Sequence, residues 1–189
     1  GLIDTIDILK KNNIAYCGAG MNEDEARQPA VILSGNRKIL FLAYNDLPPS
    51  YYYARGSKYG SAQIKDEKII SDIRKHKTKD NLVFISLHWG IEHSTQIKPE
   101  QIEQAHMYID AGADGIIGHH PHVPQGVEIY KGKPVFYSLG NAVNGYYNQK
   151  YIPNIFGAVK IKDGNIVEVR VIPIEGDNYK MRFQPFPLT

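Results

Sequence analysis

The sequence predicts an α/β fold, and two observations carry that expectation. Helix-like and strand-like segments alternate through the middle of the chain, which argues for layered helices and sheets with some parallel pairing. The C-terminal part instead holds two turn signals, Lys131-Gly132-Lys133 and Lys162-Asp163-Gly164-Asn165, each between apolar runs, as in antiparallel hairpins. The chain has 189 residues, 42% hydrophobic and 22% charged. That composition fits one domain over residues 1–189, and no linker, internal repeat or low-complexity stretch divides it.

The elements follow in order. Leu2, Ile6 and Leu9 share one face of a segment from Gly1 to Asn13, which predicts an amphipathic helix. Ile14 to Cys17 reads as a short buried strand entering Gly18-Ala19-Gly20, followed by a helical turn from Asn22 to Arg27. Ala30–Leu33 and Lys38–Tyr44 are apolar and β-branched around Ser34-Gly35-Asn36-Arg37, so they predict a hairpin. Asn45 to Gly60 breaks the pattern with Pro48, Pro49, Gly56 and Gly60 among Tyr51, Tyr52, Tyr53 and Tyr59, and predicts a long loop. A helix is expected at Lys65–His76, a buried strand at Asn81–Leu87, and a helix at Pro99–Ala111 with Ile102, Ala105 and Ile109 inward. Strands follow at Asp114–Gly118, Gly126–Tyr130, Pro134–Leu139, Phe156–Ile161 and Ile166–Ile172.

The chemistry gathers at two strand ends. His119, His120 and His122 follow one apolar run, and on an extended segment His120 and His122 would point to one side. Neutral imidazoles placed together suit a divalent ion such as manganese, iron or zinc. His88 ends the preceding strand in the same way, and loops at strand carboxyl ends are where open α/β sheets bind ligands. The metal candidates are therefore His88, His120 and His122. Glu92 and His93 follow in the His88 loop as orienting or acid/base groups, and His88, Glu92 and His119 are the candidates for proton transfer. His119 can equally hold the loop. Trp89 is a substrate platform or simple packing, and Asn141 is a turn residue or a substrate contact. His76 and His106 read as surface residues.

Several function classes drop out. Lys plus Arg total 22 and Asp plus Glu 20, for a net charge of +2, which gives no footprint for nucleic acid. The sequence holds no Gly-x-Ser-x-Gly elbow, phosphate loop or Cys-x-x-Cys, and its one cysteine, Cys17, cannot form an internal disulfide. No apolar stretch approaches the roughly 20 residues of a membrane span.

Three blocks bring a family into view. Ser86-Leu87-His88-Trp89-Gly90-Ile91-Glu92, Ala111-Gly112-Ala113-Asp114 through Gly118-His119-His120-Pro121-His122-Val123, and Tyr137-Ser138-Leu139-Gly140-Asn141 stand in one order. They resemble the corresponding blocks of the bacterial capsule-synthesis proteins of the CapA type, associated with poly-γ-glutamate capsules. The resemblance implies a calcineurin-like metallophosphatase fold, a sandwich of two mixed β-sheets flanked by helices. It also implies a dinuclear metal centre in which a strand-end His maps to His88 and a Gly-His-x-His element to His120 and His122. Ala142 stands where that family usually has Phe.

The remaining metal motifs, an Asp-x-His, an Asp and an Asn-His pair, would lie ahead of Gly1. The resemblance thus implies the C-terminal part of a longer protein with its first strands missing, able to hold at most one ion weakly and inactive alone. It further implies a phosphoester or capsule-polymer substrate, other membrane components of capsule synthesis as partners, and an anchored position at the cell surface. A non-catalytic scaffold is the alternative, with the tyrosine loop and Tyr146, Tyr147 and Tyr151 touching polymer or partner.

Overall fold

The computed structural model describes residues 1–35, 37–47, 49–142 and 154–174. Helix α1 (Leu2–Lys11) precedes a short strand β1 (Ala19–Gly20) and a one-turn helix α2 (Glu23–Ala26), whose N-cap Asn22 accepts the Glu25 N–H. The expected strand at Ile14–Cys17 does not form. Asn13 adopts a left-handed φ of 55°, its N–H bonds the Lys10 carbonyl, and the Ile14 N–H reaches back to the Leu9 carbonyl at 2.9 Å. That pair of bonds is a Schellman motif. The apolar run follows the end of a helix without forming a strand, and Ile14 is left 53% exposed.

Strands β2 (Ala30–Ser34) and β3 (Arg37–Asn45) form the predicted hairpin. The loop beyond β3 contains a 3-10 turn at Ser50–Tyr52 and the two-residue strand β4 (Gly60–Ser61), paired with β1. Helix α3 (Asp66–His76) leads to β5 (Asn81–His88), and α4 (Pro99–Asp110) leads to β6 (Gly115–His119). Strands β7 (Val127–Tyr130) and β8 (Lys133–Phe136) follow, and β9 (Asn154–Lys162) and β10 (Asn165–Ile174) close the described chain as an antiparallel pair.

The central sheet is mixed, in the order β2-β3-β5-β6-β8-β7. Its interior pairs β3–β5, β5–β6 and β6–β8 are parallel, and β2 and β7 are antiparallel edges. One face packs on α3 and α4: Leu42, Val83, Ile85, Leu87 and Ile116 meet Ile69, Ile73, Ala105 and Tyr108 in one buried cluster. Ile102 was expected inward but is 37% exposed. The stripe that turns in is Gln101, Ala105, Tyr108 and Ile109, so Ala105 and Ile109 lie inward as expected and Ile102 sits at the margin of that face.

Buried charge is paired on this side. Arg27 forks onto Asp72 at 2.7 and 2.8 Å, and the Tyr44 hydroxyl donates to the same carboxylate at 2.9 Å. Asp114 accepts from Lys77, Lys133 and the Val83 N–H. The β9–β10 pair joins the sheet elsewhere. The Ile155 N–H donates to the Leu139 carbonyl at 3.2 Å, and Gly157 lies so close to Phe136 that a Cβ there would meet its ring at 2.8 Å.

Candidate metal centre at the carboxyl edge of the sheet

Alternation along β5 sends Val83, Ile85 and Leu87 toward the helices and His88 to the other face. His88 and His119 are partners in the parallel β5–β6 register, so their side chains leave the sheet on the same face. The ladder runs one step further: the Trp89 N–H donates to the His119 carbonyl at 3.1 Å. The two loops then part, and the His93 N–H rejoins them by donating to the Pro121 carbonyl at 2.8 Å.

The loop after β6 is not extended. His120 has φ 101° and His122 φ 59°, and His93 in the neighbouring loop has φ 60°. The alternation argument for His120 and His122 therefore fails, since each is turned by a left-handed backbone. Their rings stand 6.2 Å apart. His120 instead faces His88, with ring centroids 4.9 Å apart, and His122 lies 5.9 Å from His93. A non-glycine residue in this region costs on the order of 1–3 kcal/mol, and such strain concentrates at functional sites.

His122 is oriented by Asn141. The Asn141 side-chain oxygen can only accept, so it receives the His122 Nδ1–H at 2.8 Å, and the Asn141 amide nitrogen donates to the His122 carbonyl at 3.2 Å. This pairing fixes the tautomer and leaves the Nε2 lone pair free. Asn141 is held in turn by Asn154, whose side-chain oxygen accepts the Asn141 N–H at 2.8 Å. Gly140 makes that approach possible: it has φ 74°, and a Cβ on it would fall 2.2 Å from the Asn154 oxygen. A positioning role for Asn141 was not visible in the sequence, where only its place after Leu139-Gly140 marked it.

Three of the imidazoles, His88, His119 and His120, are biased toward the neutral form. Burial first, and then the neighbouring His120, His119 and His122, push the His88 pKa down to about 4. Burial also lowers His120 and His119. Glu92, exposed at the rim, has a carboxylate oxygen 3.6 Å from His93 Nε2 and 4.0 Å from His122 Nε2. Trp89 is packed inside the fold: it is 2% exposed and donates its indole N–H to the Tyr137 carbonyl at 3.0 Å. Gly118 makes room for this, since a Cβ there would lie 1.9 Å from that carbonyl oxygen.

The donor set partly suits a divalent ion. Two imidazoles sharing one ion, with metal–nitrogen bonds near 2.0–2.1 Å, have ring centroids roughly 5 Å apart, which the His88–His120 pair matches. Among the described residues no group of three His, Cys, Asp or Glu side chains stands in a ligating arrangement. In this conformation His122 does not complete a triad with His88 and His120. The tyrosine loop leaves β3 at the same sheet edge, since Asn45 is the register partner of His88. Tyr51, Tyr52 and Tyr59 are exposed and Tyr53 is buried. Tyr146, Tyr147 and Tyr151 lie outside the described residues.

Residues 1–146 match the family described as bacterial capsule synthesis protein PGA_cap. This chain belongs to that family. It is 35% identical over 147 residues to the capsule biosynthesis protein CapA of Bacillus anthracis, covering 76% of this chain and 36% of that protein. It is 33% identical over 144 residues to the PGA biosynthesis protein CapA of Bacillus subtilis, covering 76% and 38%. The PGA_cap chain thus spans less than two fifths of those relatives. Among solved structures it is similar to the NAD nucleotidase of Haemophilus influenzae, with a TM-score of 0.55 and 13% identity over 100% of this chain and 36% of that one. At that identity the likeness shows the fold, which is metallophosphatase-like, as the resemblance implied.

Proposed function

We propose that this chain carries the histidine half of a divalent-metal centre in a protein of capsule, poly-γ-glutamate, synthesis that acts at the cell envelope. The observation that supports this most is the His88–His120 pair, two neutral imidazoles 4.9 Å apart at the sheet's carboxyl edge. His88 and His120 would hold the ion, with His122 joining from its Asn141-fixed tautomer. Manganese, iron or zinc suits such nitrogen donors. A bound ion would supply Lewis-acid stabilisation of a phosphoryl oxygen. Glu92, exposed at the rim beside His93 and His122, would serve as the acid/base group, and His119, half-buried beside His88, supports the edge or passes a proton there.

The reaction class is phosphoester hydrolysis, an analogy with the fold that the site chemistry supports. The partners are other membrane components of capsule synthesis, and the protein works outside the membrane as an anchored domain. Among the described residues no helix is long and apolar enough to cross a membrane. The test is hydrolysis of bis-p-nitrophenyl phosphate by the full-length protein, with and without added manganese. Metal-dependent turnover that disappears in His88→Ala supports the reading. A metal-loaded protein without turnover favours a second reading, a polymer-handling scaffold, for which the exposed Tyr51, Tyr52 and Tyr59 speak.

A further inference from the structure

A second polar hollow opens on the other side of the same sheet edge. It measures about 390 Å³ and lies where β3 and β5 end under the first turn of α4. Trp89 and Gln101 are its buried parts, and Asp46 and Lys98 stand exposed at its rim. It is joined to the histidine edge through the backbone: the Asp46 N–H donates to the His88 carbonyl at 3.0 Å, and Trp89 follows His88 directly.

Gln101 is the unusual member. It is 3% exposed, and its Oε1 closes the cap of α4 by accepting the Lys98 N–H at 3.1 Å. Among the described residues its Nε2 is buried without a hydrogen-bond partner. Native structures leave few such groups unpaired, and each one calls for an explanation. Glutamate would make the same cap without a buried donor, since either residue serves at that position. Gly90, with φ 90°, presents a bare Cα to the amide; a Cβ there would sit 3.1 Å from Nε2.

We propose that this hollow is a ligand subsite for the amide group of a peptide-like chain. The ligand carbonyl accepts from Gln101 Nε2, and its N–H donates to the Asp46 carboxylate. A volume of about 390 Å³ is within the range of small-ligand sites and has room for one peptide unit. Glu100 also lines the hollow and opposes a free anion there, which favours a neutral amide over a carboxylate. Lys98 remains at the rim for an acidic branch on the same chain. The subsite does not depend on the phosphoester reading of the histidine edge.

Trp89 is the chain's single tryptophan, so its fluorescence reports the hollow directly. The probes are N-acetylglycine N-methylamide, a neutral diamide, and a γ-glutamyl tripeptide. The expected result is a saturable fluorescence change with the diamide, weakened by at least about fivefold in Gln101→Glu, whose thermal midpoint stays equal or rises. No saturable change, or an equal response from wild type and Gln101→Glu, overturns the subsite. A response to the diamide but none to the γ-glutamyl tripeptide leaves the subsite standing and counts against the capsule polymer of the proposed function.

Discussion

At the carboxyl edge of the central sheet the two faces are built by opposite rules, although further down the strands both bury apolar side chains such as Leu82 and Phe84. On the helix side Leu87 is fully buried, and Asp72 and Asp114 have every charge answered by arginine, lysine or tyrosine. On the other side, one residue along the same strand, His88 meets imidazoles in a cluster whose backbone is left-handed at His120 and His122. The helix side has the burial and pairing that stabilise a fold. The histidine side carries strain and neutral donors, which a fold tolerates where binding gives them a use. Stability and binding should therefore separate cleanly between neighbouring residues.

Leu87→Ala should give the largest effect, a loss of about 2–5 kcal/mol in urea unfolding, because it opens a cavity against α3 and α4. Its neighbour tests the contrast: His88→Ala should cost much less in the same experiment while removing metal binding. If the two substitutions destabilise equally, the division between the faces is wrong. Asn141→Ala should come next, lowering metal affinity about 10–100-fold by calorimetric titration, as expected when the group orienting a ligand is lost. His120→Gly should sharpen the comparison further. It relieves a backbone at φ 101° and is expected to raise stability by about 1 kcal/mol while weakening metal binding. Asn13→Gly is the smallest, a gain of roughly 0.5 kcal/mol with metal binding unchanged, because the left-handed residue there only ends a helix.

Much of this was legible in the sequence. Strand and helix order through the centre follows from apolar runs and from Pro99, and the histidines at the ends of β5 and β6 could be placed by where those runs stop. What escaped is backbone handedness and register. Ile14 looked like a strand because its run is apolar, yet Asn12-Asn13 turns it into a helix end. Ile102 looked buried because it is apolar and shares a stripe with Ala105 and Ile109, yet the buried face is centred on Ala105 and Tyr108 and leaves it at the margin. His120 and His122 were paired by strand alternation, whereas the left-handed loop gives His120 to His88 and His122 to Asn141. Asn141 lies 19 residues from His122, and only the fold brings them together.

The most direct test of the metal assignment is calorimetric titration of manganese or zinc into this chain and into the His120→Ala/His122→Ala double variant. The account predicts weak uptake of at most one ion per chain in the wild type and none in the variant. Unchanged affinity in the double variant would contradict it, and the ion would have to be held elsewhere.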